Sequence, residues 1–151
     1  MVQFDDSLWP LLVVKFVGTT SDEEFEAYLA KMTGYLQRGD RHVCIYDSTE
    51  MKDSPLVHRQ KQLEWLKAND ALLRQWMIGT GFVITSPIIR LAMNVISQLN
   101  KPPCPQTASP TMQAALEWAA ERFKAENLML PAMLIRTRGL LQSVAGKRAA
   151  G

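Results

Sequence analysis

Three serines each stand directly before a proline, at Ser54-Pro55, Ser86-Pro87 and Ser109-Pro110. Serine at a helix N-cap accepts a hydrogen bond from an orphan N–H. Proline at the next position gives up a donor that would have gone unpaired and presets φ. A helix start made this way carries partial positive charge and spare N–H groups, so its chemistry is that of anions, whether bound or attached to the serine. Asp47, Ser48, Asp53 and Ser54 crowd the first corner, and Ser86 opens the second with Arg90 one turn into its helix. These six residues form the candidate switch or ligand edge. Capping alone accounts for the same dipeptides, and that reading stands beside the functional one.

A hydrolytic set can be drawn from the same neighbourhood, because His58 follows Ser54 by four residues and would share its helical face, with Arg59 alongside. No GxSxG nucleophile elbow accompanies it, and neither GxxxxGK[ST] nor GxGxxG occurs. His58, next to Arg59 and near Lys61, reads as a solvated surface histidine. No catalytic residue is assigned and the chain is expected not to be an enzyme. Cys44 and Cys104 form no CxxC pair and, with His42 and His58, show no tetrahedral ligand spacing, so neither metal nor cofactor is expected. Cys44 lies in a β-like run, where a thiol serves as a small apolar group.

The elements that would position these residues alternate. Leu11 to Val17, ending at Gly18, reads as a strand buried on both faces, with Gln3 to Asp6 as a short edge strand in a hairpin with it. Ser21 and Glu24 make a capping box ahead of Phe25, Tyr28, Leu29, Met32 and Leu36 at helical spacing. His42 to Tyr46 is the next strand, closed by Asp47-Ser48-Thr49. A long helix opens at Pro55 and runs to about Trp76, with Asn69-Asp70 as the place where it would bend or break. Gly79-Thr80-Gly81 reads as a helix stop and turn before a strand from Phe82 to Thr85. A helix with Ile88, Ile89, Leu91, Ala92, Val95, Ile96 and Leu99 follows, stopped by Lys101-Pro102-Pro103-Cys104-Pro105. A short extended piece at Gln106-Thr107 leads to a helix over 110–126.

This order predicts an α/β fold: a central, mostly parallel sheet of four to five strands flanked by helices, with right-handed crossovers. The three Ser-Pro corners then share the rim at the carboxyl ends of the strands, where open α/β sheets bind ligands. At 151 residues and 47% apolar content, the chain fits one domain with a buried core. Residues 1–127 are assigned to it, and 128–151 to an apolar and basic C-terminal extension. A net charge of +2, with the basic residues scattered, argues against nucleic acid. No segment has the ~18 apolar residues of a membrane span, and the chain is expected in the cytoplasm. Trp65 and Trp76, with Leu66, Leu72 and Leu73, give the long helix more apolar positions than one stripe needs, so the two tryptophans are a candidate interface toward a partner or a second copy in a homodimer. The extension is read as docking on protein ahead of an anionic membrane.

Taken together, the strand Leu11 to Val17 with Gly18, the strand Val43 to Asp47, Asp53-Ser54 opening the next helix, and Phe82 to Thr85 followed by Ser86-Pro87 resemble the STAS domains, the anti-sigma-factor antagonists and their SpoIIAA-like relatives. The resemblance spans about residues 2–125 in the order and length of elements. In that family an Asp-Ser pair at the corresponding helix start includes a serine that a partner kinase phosphorylates, and its members hold or release a kinase, a phosphatase or a transporter core. The family pattern continues with a small residue and glycine where this chain has Pro55 and Leu56, which is the mark of a diverged, SpoIIAA-like branch. What the resemblance implies is a non-enzymatic regulatory module that binds a protein and is switched by charge at Asp53-Ser54. The alternative is a small-molecule or anion-binding domain that uses the helix N-termini at the strand ends.

Overall fold

The computed structural model describes residues 1–99 and 101–138, and their side chains apart from those of residues 94 and 96–99. Its elements are β1 (Val2–Leu8), β2 (Leu11–Gly18), α1 (Asp22–Gln37), β3 (His42–Met51), α2 (Leu56–Ala68), α3 (Asp70–Trp76), β4 (Met77–Val83), α4 (Pro87–Leu99), β5 (Gln106–Ser109) and α5 (Met112–Ala125). Residues 129–138 are also helical. The sheet runs β1-β2-β3-β4-β5, antiparallel between β1 and β2 and parallel from β2 onward. This is the mixed five-stranded α/β architecture expected from the alternation.

Alternate side chains of the buried strands feed two cores, as a pleated sheet with helices on both faces requires. Leu12, Val14 and Cys44 pack with Phe25, Tyr28, Leu29, Met32 and Leu36 of α1, Trp65 of α2 and Leu73 of α3. Leu11, Val43 and Ile45 pack with Ala115, Ala119, Ala120 and Phe123 of α5, and with Ala132 and Ile135. The described part of the C-terminal extension therefore lies on its own domain.

The start of α1 is as expected: Ser21 Oγ accepts from Glu24 N–H at 3.1 Å, and Asp22, Glu23 and Glu24 place negative charge at the positive end of the dipole. Gly39, at φ +68°, ends the helix. The long helix divides at Asn69 into α2 and α3. Asn69 takes φ −109°, and both its amide groups, backbone and side chain, donate to the carbonyl of Trp65.

Four local expectations are corrected. β3 does not close at Asp47 but continues to Met51, pairing with β2 as far as Gly18. Gly79-Thr80-Gly81 is no turn but the middle of β4, because a Cβ at Gly79 would stand 2.9 Å from the Trp118 ring and 3.2 Å from Arg122 Cγ. Ser109-Pro110 does not start α5. Ser109 is held in the sheet, its carbonyl accepting from Ile84 N–H at 2.9 Å, and Thr111 caps the helix instead, its Oγ1 accepting from Ala114 N–H. Ser54-Pro55 does not cap α2 in the expected way either: Pro55 itself is the N-cap residue, with extended ψ of 146°, and no side chain caps the helix. Only Ser86-Pro87 follows the rule, with Ser86 Oγ accepting from Ile89 N–H at 3.4 Å and α4 opening on Pro87.

Candidate functional site

Because β2 to β5 are parallel, every strand-to-helix connection emerges on one side of the sheet. The six edge residues thus lie along one rim, in three different states. Asp47 and Ser48 are spent on local structure. Asp47 is buried, its Oδ1 accepting from both Thr49 N–H at 3.0 Å and Thr49 Oγ1–H at 2.7 Å, and Ser48 Oγ donates to the Val83 carbonyl at 3.3 Å. They brace the second half of β3 rather than face a ligand. Ser86 is engaged as a cap, and beyond it Arg90 is half-buried with its Nε enclosed and unbonded among the described residues.

Asp53 and Ser54 are different. They lie in an exposed run, residues 49–57, within which Lys52 N–H donates to the Gly18 carbonyl at 3.0 Å. Since Pro55 occupies the N-cap position, the Ser54 hydroxyl is not consumed by α2, and the first N–H groups of that helix have no side-chain partner. Leu56 is 60% exposed and Val57 49%, so the corner joins an acidic, hydroxyl-bearing turn to an apolar step.

The hydrolytic grouping does not assemble. His58 is not solvated but 4% exposed: it stacks on Phe25 with ring centroids 4.4 Å apart, and its Nε2 meets Asp22 Oδ1 of α1 at 2.7 Å. The ring ties the first turn of α2 to the first turn of α1. The tryptophan pair is also corrected. Trp65 is 9% exposed, inside the first core, with Nε1 donating to Thr33 Oγ1 at 2.9 Å, and Trp76 lies half-buried over Gly39. Neither forms an open aromatic patch.

Two features lay outside the sequence-based reading. Two separate hydrogen bonds tie polar side chains: Tyr28 O–H donates to Gln62 of α2 at 3.0 Å, and Thr80 Oγ1 and Cys104 Sγ meet at 3.3 Å. Burial pushes the Tyr28 and Tyr46 hydroxyls well up and the Cys44 thiol up to about 12, so all three are neutral, as in a core. The other is α4, where Ile88, Ile89, Leu91 and Val95 are exposed. Among the described residues no cluster of three metal-ligating side chains occurs, and no helix is long and apolar enough to cross a membrane.

No family model and no curated protein matches the chain. Among solved structures it is similar to an uncharacterised protein of the DUF3478 family with a SpoIIAA-like fold, from Shewanella loihica PV-4. The TM-score is 0.63 at 16% sequence identity, covering 79% of this chain and 92% of that one. The fold is SpoIIAA-like, as the resemblance in strand order and rim residues implied.

Proposed function

We propose that this chain is a non-catalytic regulatory module of the cytoplasm that binds a protein partner through the exposed corner of residues 51–57, with charge at Ser54 setting the affinity. The observation that carries this reading is the free state of Ser54: an exposed hydroxyl at the start of a helix whose first N–H groups lack a side-chain cap, beside exposed Leu56 and Val57. A phosphoryl group there would bring roughly two negative charges to the helix N-terminus, where dipole and N–H groups favour it, while neighbouring Asp53 opposes it. Apolar side chains beside a chargeable hydroxyl suit a surface that holds a protein in one state and sheds it in the other. The SpoIIAA-like fold supports the reading at the level of architecture.

The test is affinity capture with wild type, Ser54→Ala, Ser54→Asp and Leu56→Asp/Val57→Asp, alongside mass spectrometry of native protein. A partner retained by wild type and Ser54→Ala and lost from the other two is the expected result. Identical capture by all four, with Ser54 unmodified, would overturn it.

One observation favours a second reading, a small anion held at the rim: the enclosed Nε of Arg90 in the first turns of α4, without a partner among the described residues. A thermal-shift screen with phosphorylated metabolites separates the two. The interaction module stays flat, whereas a shift abolished by Arg90→Ala would move the assignment to the anion.

A further inference from the structure

The second core is not filled to its edge. Between the β1–β2 hairpin, α5 and the helix of residues 129–138 it leaves a cavity of about 160 Å³. Leu8, Leu11, Val13, Met112, Leu116 and Ile135 line it, Leu11 and Ile135 buried and the other four half-buried. Asp5, Ser7 and Arg138 also line it, and all three are exposed, so they mark its opening to solvent. Pairing of β1 with β2 sets Asp5 opposite Val13 and Leu8 opposite Leu11. Ile135 and Arg138 lie one helical turn apart, which brings both to the same wall.

Two opposite charges share this opening without pairing. Asp5 Oδ1 accepts from Ser7 N–H at 2.9 Å, and Arg138 Nη1 donates to Ser7 Oγ at 3.2 Å, so each is held by Ser7 and not by the other. Hydrogen bonds from Ser7, and after them the charge of Arg138, hold the Asp5 carboxyl below its ordinary pKa, so it is ionised at neutral pH. The second carboxylate oxygen and the remaining guanidinium N–H groups have no partner among the described residues.

We propose that the cavity binds a free α-amino acid with an apolar side chain, the side chain inside, the α-carboxylate on Arg138 and the α-ammonium on Asp5. Size selects the first part. An apolar cavity of about 150 Å³ takes up a benzene-sized guest, whereas drug-sized ligands occupy about 300–1,000 Å³. The space therefore suits one branched or aromatic side chain, not a nucleotide or a long acyl chain. Charge selects the second part. A fatty acid would use Arg138 and set its carboxylate against Asp5, and an amine would do the reverse. A peptide end carries only one of the two charges. A free amino acid presents both on one carbon and satisfies both groups. Leu11 opens β2, whereas residues 51–57 adjoin Gly18 at its other end, so this site is separate from the regulatory corner.

Calorimetric titration of the full chain with leucine and with phenylalanine tests this. Isoamylamine and phenethylamine serve as the same molecules without the carboxylate, isocaproate and hydrocinnamate as those without the ammonium. At least one of the two amino acids is expected to bind saturably with Kd below about 1 mM, and its amine and acid each about 10-fold more weakly. Arg138→Ala weakens the amino acid about 10-fold without weakening the amine, and Asp5→Asn weakens it about 10-fold without weakening the acid. Both positions are exposed, and circular dichroism checks that each variant folds. No saturable binding up to about 10 mM, an amine or acid bound as tightly as its amino acid, or binding indifferent to both substitutions overturns the proposal. So does a crystal structure of the full chain with its own residues seated in the cavity.

Discussion

His42 shows how one residue can carry a consequence for the whole fold. It is 1% exposed, stacked on Trp9, and its Nδ1 lies 2.9 Å from the Asp40 carbonyl. A carbonyl only accepts, so Nδ1 carries the proton, and Nε2 is left as an enclosed lone pair with no partner among the described residues. Burial holds the imidazole below its ordinary pKa, so the folded protein keeps it neutral where the unfolded chain begins to protonate it. The sign follows from linkage. As pH falls through about 6.5, the unfolded state binds the extra proton and stability drops until the lower folded pKa is reached. Urea unfolding between about pH 7 and pH 5 should show this decline, and His42→Phe, which keeps an aromatic ring against Trp9, should flatten it. Equal slopes for the two proteins would remove the assignment. None of this was legible in the sequence, where His42 is only a polar residue at the head of an apolar run.

Between elements, α5 lies close on β4. Gly79 and Gly81 leave the strand bare beneath Trp118, and Arg122 Nε reaches through to donate to the Ile78 carbonyl at 2.9 Å. The two glycines then differ in sign. Gly79→Ala drives a methyl to within 2.9 Å of the ring and should cost about 1–3 kcal/mol, as overpacking does. At Gly81 the nearest atoms stand at 3.5–3.8 Å, ordinary contact, so Gly81→Ala should be neutral or gain about 0.5–1 kcal/mol from reduced backbone freedom. Thermal unfolding of both variants decides it. The same pair explains why element boundaries were only partly legible. Gly-Thr-Gly is a turn signal on local grounds, and only the distant Trp118 makes it a strand. Ser109 likewise carries a helix-start signal that loses to pairing across the sheet, and Ser54 is displaced because β3 runs on to Met51 and leaves Pro55 at the cap. Where no long-range contact intervenes, at Ser21 and Ser86, the local rule holds. Alternation of strands and helices needs no such detail, which is why the architecture could be read from the chain.

For the whole molecule, periodicity reveals that a helix has an apolar side but carries no information about which way that side faces. The stripes of α1 and α5 point inward, that of α4 points out, and residues 129–138 divide, with Ala132 and Ile135 buried while Leu130 and Met133 are exposed. The candidate site was legible as a rim, because parallel topology alone gathers the corners there. Which of its residues stay free depends on hydrogen bonds that spacing cannot show. The segment after α5 gives the most direct test of how far the folded unit extends. Its Ile135 is 2% exposed and shares a core with Leu11, Val43, Ile45 and Phe123, residues of β2, β3 and α5. If that packing is part of one cooperative structure, Ile135→Ala should cost about 2–5 kcal/mol, the range for emptying a buried aliphatic site, and shift a single unfolding transition. Met133→Ala, one turn round on the exposed side, should stay within about 0.5 kcal/mol. A loosely attached appendage would give small and similar values for both, so the difference between the two variants measures whether these residues close the second core of the domain.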